Sequence, residues 1–147
     1  MELREFIVRA KRKTYASGAE PKKLANGFEE LNYEEGELKY NDLWKTGTNS
    51  FGGREIVAER GETFWMMNYY GKIISEEVEA EKVYAFLRKA LSKVEKEKPF
   101  RGPSSFKEKG FEYLDDSEGS VEMFSGIEQI LFNGKLVYRL DYHGGRL

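Results

Sequence analysis

The sequence predicts an α+β fold in which a unit of one helix and three strands, α-β-β-β, occurs twice. Residues 33–71 match residues 106–144 without a gap at an offset of 73, and two amphipathic segments have helical spacing. Two-residue turns also join runs of alternating apolar residues. We therefore expect one domain, residues 1–147, made of two repeats near 1–74 and 75–147, with two helices packed on antiparallel sheet about a pseudo-twofold axis. Pairs related by the offset include Tyr40/Tyr113, Asp42/Asp115, Gly53/Gly126, Glu55/Glu128, Tyr69/Tyr142 and Gly71/Gly144.

Bulk composition excludes several classes of site. The 147 residues include no cysteine and one histidine, so thiolate chemistry and multi-histidine metal sites are excluded. The 24 basic and 26 acidic residues nearly balance, which favours neither nucleic acid nor an anionic membrane as a partner. The N-terminus lacks an apolar core for a signal peptide, and no apolar run approaches the ~20 residues of a membrane span. We expect a soluble, cytoplasmic protein without a cofactor or bound metal; 34% charged residues fit a heat-adapted source.

The first half is predicted to begin with a helix at residues 2–15. Leu3, Phe6, Ile7 and Ala10 recur at spacings of three and four, while charged residues that include Lys11 take the other side. Residues 19–30 are polar and predict a surface loop. Strands are expected at 37–44, 54–59 and 62–70, with a Gly-rich connection at 46–53 and a tight turn at residues 60–61.

The second half is predicted to repeat this order. The longest helix is expected at 76–94, and a Pro-rich break follows at 99–103. Strands are predicted at 111–115, 123–132 and 135–143, with a loop near 117–120. Asn133-Gly134 is the strongest short hairpin signal in the chain. The apolar stripe of the helix consists of Val78, Val83, Phe86, Leu87, Ala90, Leu91 and Val94.

The two tight turns predict the register of both hairpins, with residue 57 opposite 64, 55 opposite 66, 130 opposite 137 and 128 opposite 139. One face would then be apolar and covered by the helices. It carries Ile56, Ala58, Trp65, Met67 and Tyr69, and in the second copy Leu131, Leu136, Tyr138, Leu140 and Tyr142. The other face mixes acids with large apolar groups. It carries Glu55, Val57, Phe64, Met66, Asn68 and Tyr70, and in the second copy Glu128, Ile130, Val137, Arg139, Asp141 and His143.

This mixed face is the predicted functional surface. Exposing Phe64 and Met66 costs about 1.5–3 kcal/mol each, while burying an unpaired glutamate is also unfavourable, so the mixture indicates a pocket or an interface. Glu128 would lie opposite Arg139, and Glu55 would lie opposite Met66 without a neutralising cross-strand partner. Each glutamate therefore either forms a structural salt bridge or contributes to a binding site. The ligand-binding candidates are Glu55, Phe64, Met66, Asn68, Tyr70, Arg101, Glu128, Arg139, Asp141 and His143.

Several of these residues allow two interpretations. His143, beside Asp141 on one face, is either a general base with an orienting carboxylate or an ordinary strand-end histidine. Arg101 either binds a carboxylate or phosphate or occupies a surface turn. The acids Asp115, Asp116, Glu118, Glu122 and Glu128 either bind a hard cation or, since the EF-hand spacing is absent, form a solvated acidic loop.

Five short motifs carry a family resemblance. They are Thr14-Tyr15-Ala16-Ser17-Gly18, Asn68-Tyr69-Tyr70-Gly71, Pro99-Phe100-Arg101-Gly102-Pro103, Phe124-Ser125-Gly126-x-Glu128 and Tyr142-His143-Gly144-Gly145. The chain resembles an uncharacterised prokaryotic domain family of unknown function, found alone or C-terminal to helix-turn-helix transcription regulators of the XRE type. The resemblance implies a sensory or effector-binding role and assigns no catalytic residue. Helix 2–15 leads straight into the domain, so we expect no DNA-binding headpiece and no direct nucleic-acid contact.

Three functions follow from these observations. The first is a small-molecule-binding or sensory module with its site on the mixed face. The second is a small hydrolase- or isomerase-like enzyme that uses His143 or Glu55 as acid or base. The third is a homodimeric interaction module that buries Phe64, Met66, Val57 and Ile130 between two copies.

Overall fold

The computed structural model describes residues 2–147, and its main feature is an antiparallel sheet. Within these residues, nine strands form one sheet in the order β1-β2-β3-β4-β5-β9-β8-β7-β6. The helices are α1 (Leu3–Lys13) and α2 (Ala80–Leu91), and a 3₁₀ turn spans Tyr15–Ser17. The strands are β1 (Lys22–Lys23), β2 (Glu29–Glu35), β3 (Leu38–Thr46), β4 (Ser50–Glu59), β5 (Glu62–Ile73), β6 (Ser105–Glu108), β7 (Phe111–Ser120), β8 (Met123–Phe132) and β9 (Lys135–Arg146).

The predicted fold class, two α-β-β-β units with two helices packed on sheet, is wrong. About 53% of the chain is strand and 18% is helix, with one N-terminal helix and one short helix beside a continuous nine-stranded sheet. The additional strands β1, β2 and β6 are polar, and β2 reads EELNYEE. Because these strands lie at or near the sheet edges, charged side chains stay in water and no apolar alternation marks them. The predicted division into two repeats remains a prediction.

The core lies on one face of the sheet, where the apolar sides of both helices are buried. Phe6, Ile7 and Ala10 of α1 are fully buried, as the helical spacing predicts. All seven residues of the predicted α2 stripe are buried, yet the helix ends at Leu91 rather than at residue 94. The carbonyl of Val94 instead accepts a hydrogen bond of 2.7 Å from the Arg12 guanidinium, which ties the end of this segment to α1.

The tight turns are confirmed, but the predicted register is wrong because each hairpin contains a β-bulge. Arg60-Gly61 and Asn133-Gly134 have positive φ angles at both positions, as type I′ turns require. Residue 58 pairs with 63 and 57 with 65, so Phe64 is the extra residue of the first hairpin. Residue 131 pairs with 136 and 130 with 138, so Val137 is the extra residue of the second. One inserted residue reverses the face of everything beyond it.

The reversal moves both glutamates to the side that the helices cover. Glu55 lies opposite Met67 rather than Met66, and Glu128 lies opposite Leu140 rather than Arg139. The predicted loop at residues 19–30 contains β1 and the first residues of β2. Two further predicted loops are also partly strand, since β4 begins at residue 50 and β7 continues to residue 120. These extensions contain glycine and serine, which a pattern based on apolar alternation does not assign to strands.

Candidate functional site

Two acid pairs lie beneath the helices, and each pair joins directly opposed residues of neighbouring strands. Asp42 of β3 pairs with Glu55 of β4, and Asp115 of β7 pairs with Glu128 of β8. All four side chains are buried, with exposures of 6%, 2%, 7% and 0% in that order. Like charges placed directly opposite on a sheet repel, and buried acids need partners. The surroundings of each pair therefore determine its role.

In the Glu128 cluster, both carboxylate oxygens of Glu128 have all their hydrogen-bond partners. The cluster consists of Arg101, Tyr113, Asp115, Glu128, Tyr138 and Tyr142. The Arg101 guanidinium donates from Nε and Nη2 to the two carboxylate oxygens at 3.0 and 2.9 Å. The hydroxyls of Tyr113 and Tyr138 add bonds of 2.5 and 2.7 Å. Each carboxylate oxygen therefore accepts two hydrogen bonds, one from Arg101 and one from a tyrosine. Glu128 is a fully paired structural anion.

The Glu55 cluster consists of Lys11, Tyr40, Asp42, Glu55 and Tyr69, and it is not saturated. One Glu55 oxygen, Oε1, accepts a hydrogen bond of 2.5 Å from Tyr40 and lies 2.8 Å from the Lys11 ammonium. Oε2 has no hydrogen-bond partner within residues 2–147. Since no inaccessible side-chain nitrogen or oxygen in this part of the chain lacks a partner, Oε2 must open to solvent.

Asp42 has the same kind of free oxygen. Its Oδ1 accepts a hydrogen bond of 2.5 Å from Tyr69, and its Oδ2 has no partner within the described chain. Burial raises the pKa of Asp42 to about 7, and the neighbouring Glu55 carboxylate adds to the rise. Burial and Glu128 raise the pKa of Asp115 to about 7 in the same way. Lys11 forms its other contact with the carbonyl of Phe100, and burial lowers its pKa.

Two glycines leave room for Tyr69 and Tyr142 to pass over a neighbouring strand and reach these aspartates. A Cβ at Gly53 would lie 2.7 Å from the Tyr69 hydroxyl, and one at Gly126 would lie 2.3 Å from the Tyr142 hydroxyl. Real Cβ atoms do not approach this closely, so a larger residue at either position would displace the tyrosine. The Gly-Tyr-Asp arrangement therefore fixes the aspartate in both clusters.

A cavity of about 190 Å³ lies against the Glu55 cluster. Its polar wall includes Lys11, Asp42, Glu55 and Arg101, and the Nη1 group of Arg101 has no hydrogen-bond partner within residues 2–147. Thr46 and Arg88, which are exposed, also line it and indicate where it opens. The aromatic residues that line it are Tyr15, Tyr40, Trp44, Phe51, Tyr69, Tyr84 and Phe100. Buried charges, free acceptor oxygens and aromatic surface in one partly enclosed space are typical of a ligand site.

The ten predicted site residues do not share one face. Glu55, Glu128 and Arg101 are buried on the covered face, where Arg101 pairs with Glu128 rather than occupying a surface turn. Met66, Asn68, Tyr70, Arg139, Asp141 and His143 lie on the opposite face, and Phe64 is the half-buried bulge residue. The predicted Glu128–Arg139 pair is absent in residues 2–147, because Arg139 binds Asp141 at 2.7 Å.

The opposite face has two wide hollows rather than an enclosed site. One is lined by Met66, Asn68 and His143 and the other by Asn68, Tyr70, Asp141 and His143, among others. Among the described residues, no buried charged side chain lines either hollow, so we favour the smaller covered cavity as the candidate site. His143 and Glu55 lie on opposite faces of the sheet and cannot act on one substrate. Val57 and Ile130 are fully buried within the chain, which excludes them from the predicted dimer surface.

Sequence reasoning missed Lys11, Asp42, Tyr40 and Tyr69 as site residues. Lys11 was placed on the charged side of α1, yet it lies four residues after Ile7 and is buried with it. Asp42 alternates with Leu38 and Tyr40 on the apolar side of its strand, and an acid in an apolar stripe was the available signal. Both exceptions interrupt an otherwise apolar surface.

Comparison with known proteins identifies the family. No curated protein and no solved structure is significantly similar to this chain. Among residues 2–147, no helix has the length and apolar character needed to cross a membrane. One sequence profile matches residues 42–147, which contain Asp42, Glu55, Tyr69 and Arg101 of the cavity wall but not Lys11. Because this match covers well over half of the chain, the protein belongs to the family described as Domain of unknown function (DUF5680).

Proposed function

We propose that this protein is a small-molecule-binding module whose site is the cavity beside Glu55. One observation carries the proposal: Glu55 and Asp42, both more than nine-tenths buried, line a partly enclosed cavity, and each has one carboxylate oxygen without a hydrogen-bond partner in residues 2–147. Because no inaccessible side-chain oxygen in residues 2–147 lacks a partner, both oxygens reach the cavity and can be hydrated there. A ligand that displaces this water must supply donors of its own, since leaving a buried acceptor unsatisfied costs about 1–3 kcal/mol.

The size of the cavity limits the ligand. An apolar cavity of about 150 Å³ holds benzene, so the space here suits a compound of similar or slightly larger size. Aromatic walls suit a flat or apolar body, and the carboxylates on one side suit a hydrogen-bond donor. The sensory role that the family resemblance implies is consistent with a compound of this kind.

A fragment screen followed by NMR tests the proposal. Compounds of benzene size should shift the backbone amides of residues 11–16, 40–46 and 51–55, because these segments line the cavity. Thr46→Trp should abolish binding by closing the mouth, and Thr48→Trp is the matched control, since Thr48 is exposed but does not line the cavity. Binding that is equal in both variants, or shifts confined to the opposite face, would contradict the proposal.

A second function, acid–base catalysis by Asp42, is favoured by one further observation. Asp42 has a pKa of about 7 next to a second carboxylate in a partly enclosed cavity, as general acids and bases often have. A panel of chromogenic carboxylate esters, phosphate esters and glycosides would reveal turnover. Activity should be lost in Asp42→Asn and kept in Asp115→Asn; activity that survives Asp42→Asn would remove this role.

A further inference from the structure

We propose that the ligand of this cavity is a small organic cation, a primary or methylated amine carried on an aromatic or apolar group. This inference rests on the proposed binding function and adds the charge and chemical class of the ligand. It follows from the charges that are buried in the protein and from the residues that form the remaining walls.

The buried charges of residues 2–147 do not balance. Two cations, Lys11 and Arg101, lie among four carboxyl groups, Asp42, Glu55, Asp115 and Glu128. Arg101 is engaged by Glu128 at 2.9 Å and Lys11 by Glu55 at 2.8 Å. Within the described chain, neither aspartate has a basic group within ion-pair distance, and each accepts a hydrogen bond from a tyrosine hydroxyl instead. Full ionisation would therefore leave two uncompensated buried negative charges.

Of the two aspartates without a basic partner, Asp42 is the one that a ligand in the cavity can reach. Asp42 lines the cavity, and so does Glu55, the residue directly opposite it on the neighbouring strand. Asp115 belongs to the other acid pair and does not line the cavity. The groups that face Asp42 are Lys11 from α1, Tyr40 from its own strand, Glu55 from β4, Tyr69 from β5 and Arg101 from the connection before β6. A bound ammonium group would supply the missing positive charge and donate to both acids.

The aromatic walls suit the same ligand. Phe51 packs against Tyr69 and Tyr84 with ring centroids 6.0 and 5.9 Å apart and interplanar angles of 59° and 73°. All three residues line the cavity, so aromatic surface lies on the same wall as the two acids, and aromatic rings attract alkylated amines. Arg88 also lines the cavity, but it is exposed and lies 5.4 Å from the Tyr15 ring, so water screens its charge. The wall therefore offers aromatic surface and carboxylate oxygens to a cation, while its two buried cations, Lys11 and Arg101, are already paired with Glu55 and Glu128.

Three probes of nearly equal size and different charge test the inference: benzylamine, benzyl alcohol and benzoate. NMR titration at pH 8 should show benzylamine binding about tenfold or more tightly than benzyl alcohol, since it alone forms a charge-assisted contact. Benzoate should bind most weakly. Asp42→Asn should weaken benzylamine binding by about tenfold or more and remove its advantage over benzyl alcohol. Asp115→Asn, the matched change in the other acid pair, should leave the affinity unchanged.

The outcomes separate this inference from the function on which it rests. If benzyl alcohol or benzoate binds as tightly as benzylamine, the proposed positive charge of the ligand is wrong, but the proposed binding site is still supported. If no probe binds the wild-type protein, or if Thr46→Trp has no effect on binding, both the site and its ligand class are wrong. Should Asp42→Asn fail to fold, Glu55→Gln provides the second variant, and an unchanged preference for benzylamine in it would overturn the inference.

Discussion

The Glu128 cluster and the Glu55 cluster begin from the same local arrangement and differ in how completely the glutamate is paired. Each has an acid directly across the strand, a tyrosine on the glutamate and a second tyrosine on the aspartate. Glu128 accepts four hydrogen bonds, including two from one guanidinium. Glu55 retains one free oxygen at a cavity. One buried acid pair is therefore fully paired at its glutamate, whereas the other leaves one glutamate oxygen open to a cavity.

Two residue differences account for this contrast. Tyr138 donates to Glu128, whereas Trp65, at the corresponding position 73 residues earlier, donates its indole N–H to the Val121 carbonyl at 3.1 Å. Arg101 binds through a planar fork that covers both oxygens, whereas Lys11 is a single point charge that reaches one of them. Together these differences leave Glu55 Oε2 free.

The largest expected effect is on stability, when each of the two buried cations, Arg101 and Lys11, is replaced. Arg101→Met should lower the free energy of unfolding by about 3–5 kcal/mol, because it leaves a buried carboxylate without its counter-ion. Lys11→Met should cost less, since water in the cavity can solvate the free side of Glu55. Urea unfolding monitored by tryptophan fluorescence measures both values. A larger loss in Lys11→Met would contradict the assignment of Glu128 as the closed cluster.

The next effect is on pH dependence. The pKa values of Asp42 and Asp115 rise to about 7 in the folded protein from an ordinary value of 3.8. A raised carboxyl pKa means that the folded state holds its proton more tightly, so this stabilisation is complete below about pH 4 and is lost as the pH rises through 7. Each group should contribute on the order of a few kcal/mol.

Urea unfolding at pH 5 and pH 8.5 measures this loss. Asp42→Asn and Asp115→Asn should each flatten the decline, and each variant should be more stable than the wild type at pH 8.5. A decline that is unchanged in both variants would show that other groups cause it. A bound cation should restore stability at pH 8.5 through Asp42 alone, which distinguishes the open acid pair from the closed one.

A smaller effect is expected from one tyrosine hydroxyl. Tyr138→Phe removes one of the four donors to Glu128 and keeps the ring, so it should destabilise the protein by about 1.5–3 kcal/mol. Tyr33→Phe is a matched control, because its hydroxyl bonds the less buried Glu35 and should cost much less. Equal losses in the two variants would mean that saturation of Glu128 contributes little.

The smallest effect concerns the ion pair that replaces the predicted Glu128–Arg139 contact. Arg139 binds Asp141 on the exposed face, where water screens the interaction. Arg139→Ala should leave the melting temperature and the affinity for benzylamine unchanged. A clear loss of either would show that the opposite face takes part in the site.

The sequence predicted most of the element positions, because apolar periodicity and Gly-containing turns report local structure directly. Strand β8 has the predicted bounds, both tight two-residue turns are present, and helix α1 lies within the predicted residues 2–15. The bulges at Phe64 and Val137 were not, since both residues are apolar and fit either face. Because the predicted register did not include the extra residue of each hairpin, it placed Glu55 and Glu128 on the wrong side of the sheet. The site depends on contacts between distant segments, such as Lys11 with Glu55, which no local pattern encodes.

The location of Lys11 has a consequence for regulation. One wall of the cavity belongs to the N-terminal helix and its 3₁₀ extension, and the other walls belong to the sheet and the segment around Arg101. Any compound that occupies the space would therefore hold these parts together. By thermodynamic reciprocity, whatever loosens the helix would weaken the compound's affinity by the same factor by which the compound resists that loosening. Attachment of the helix and occupancy of the cavity are thus thermodynamically coupled.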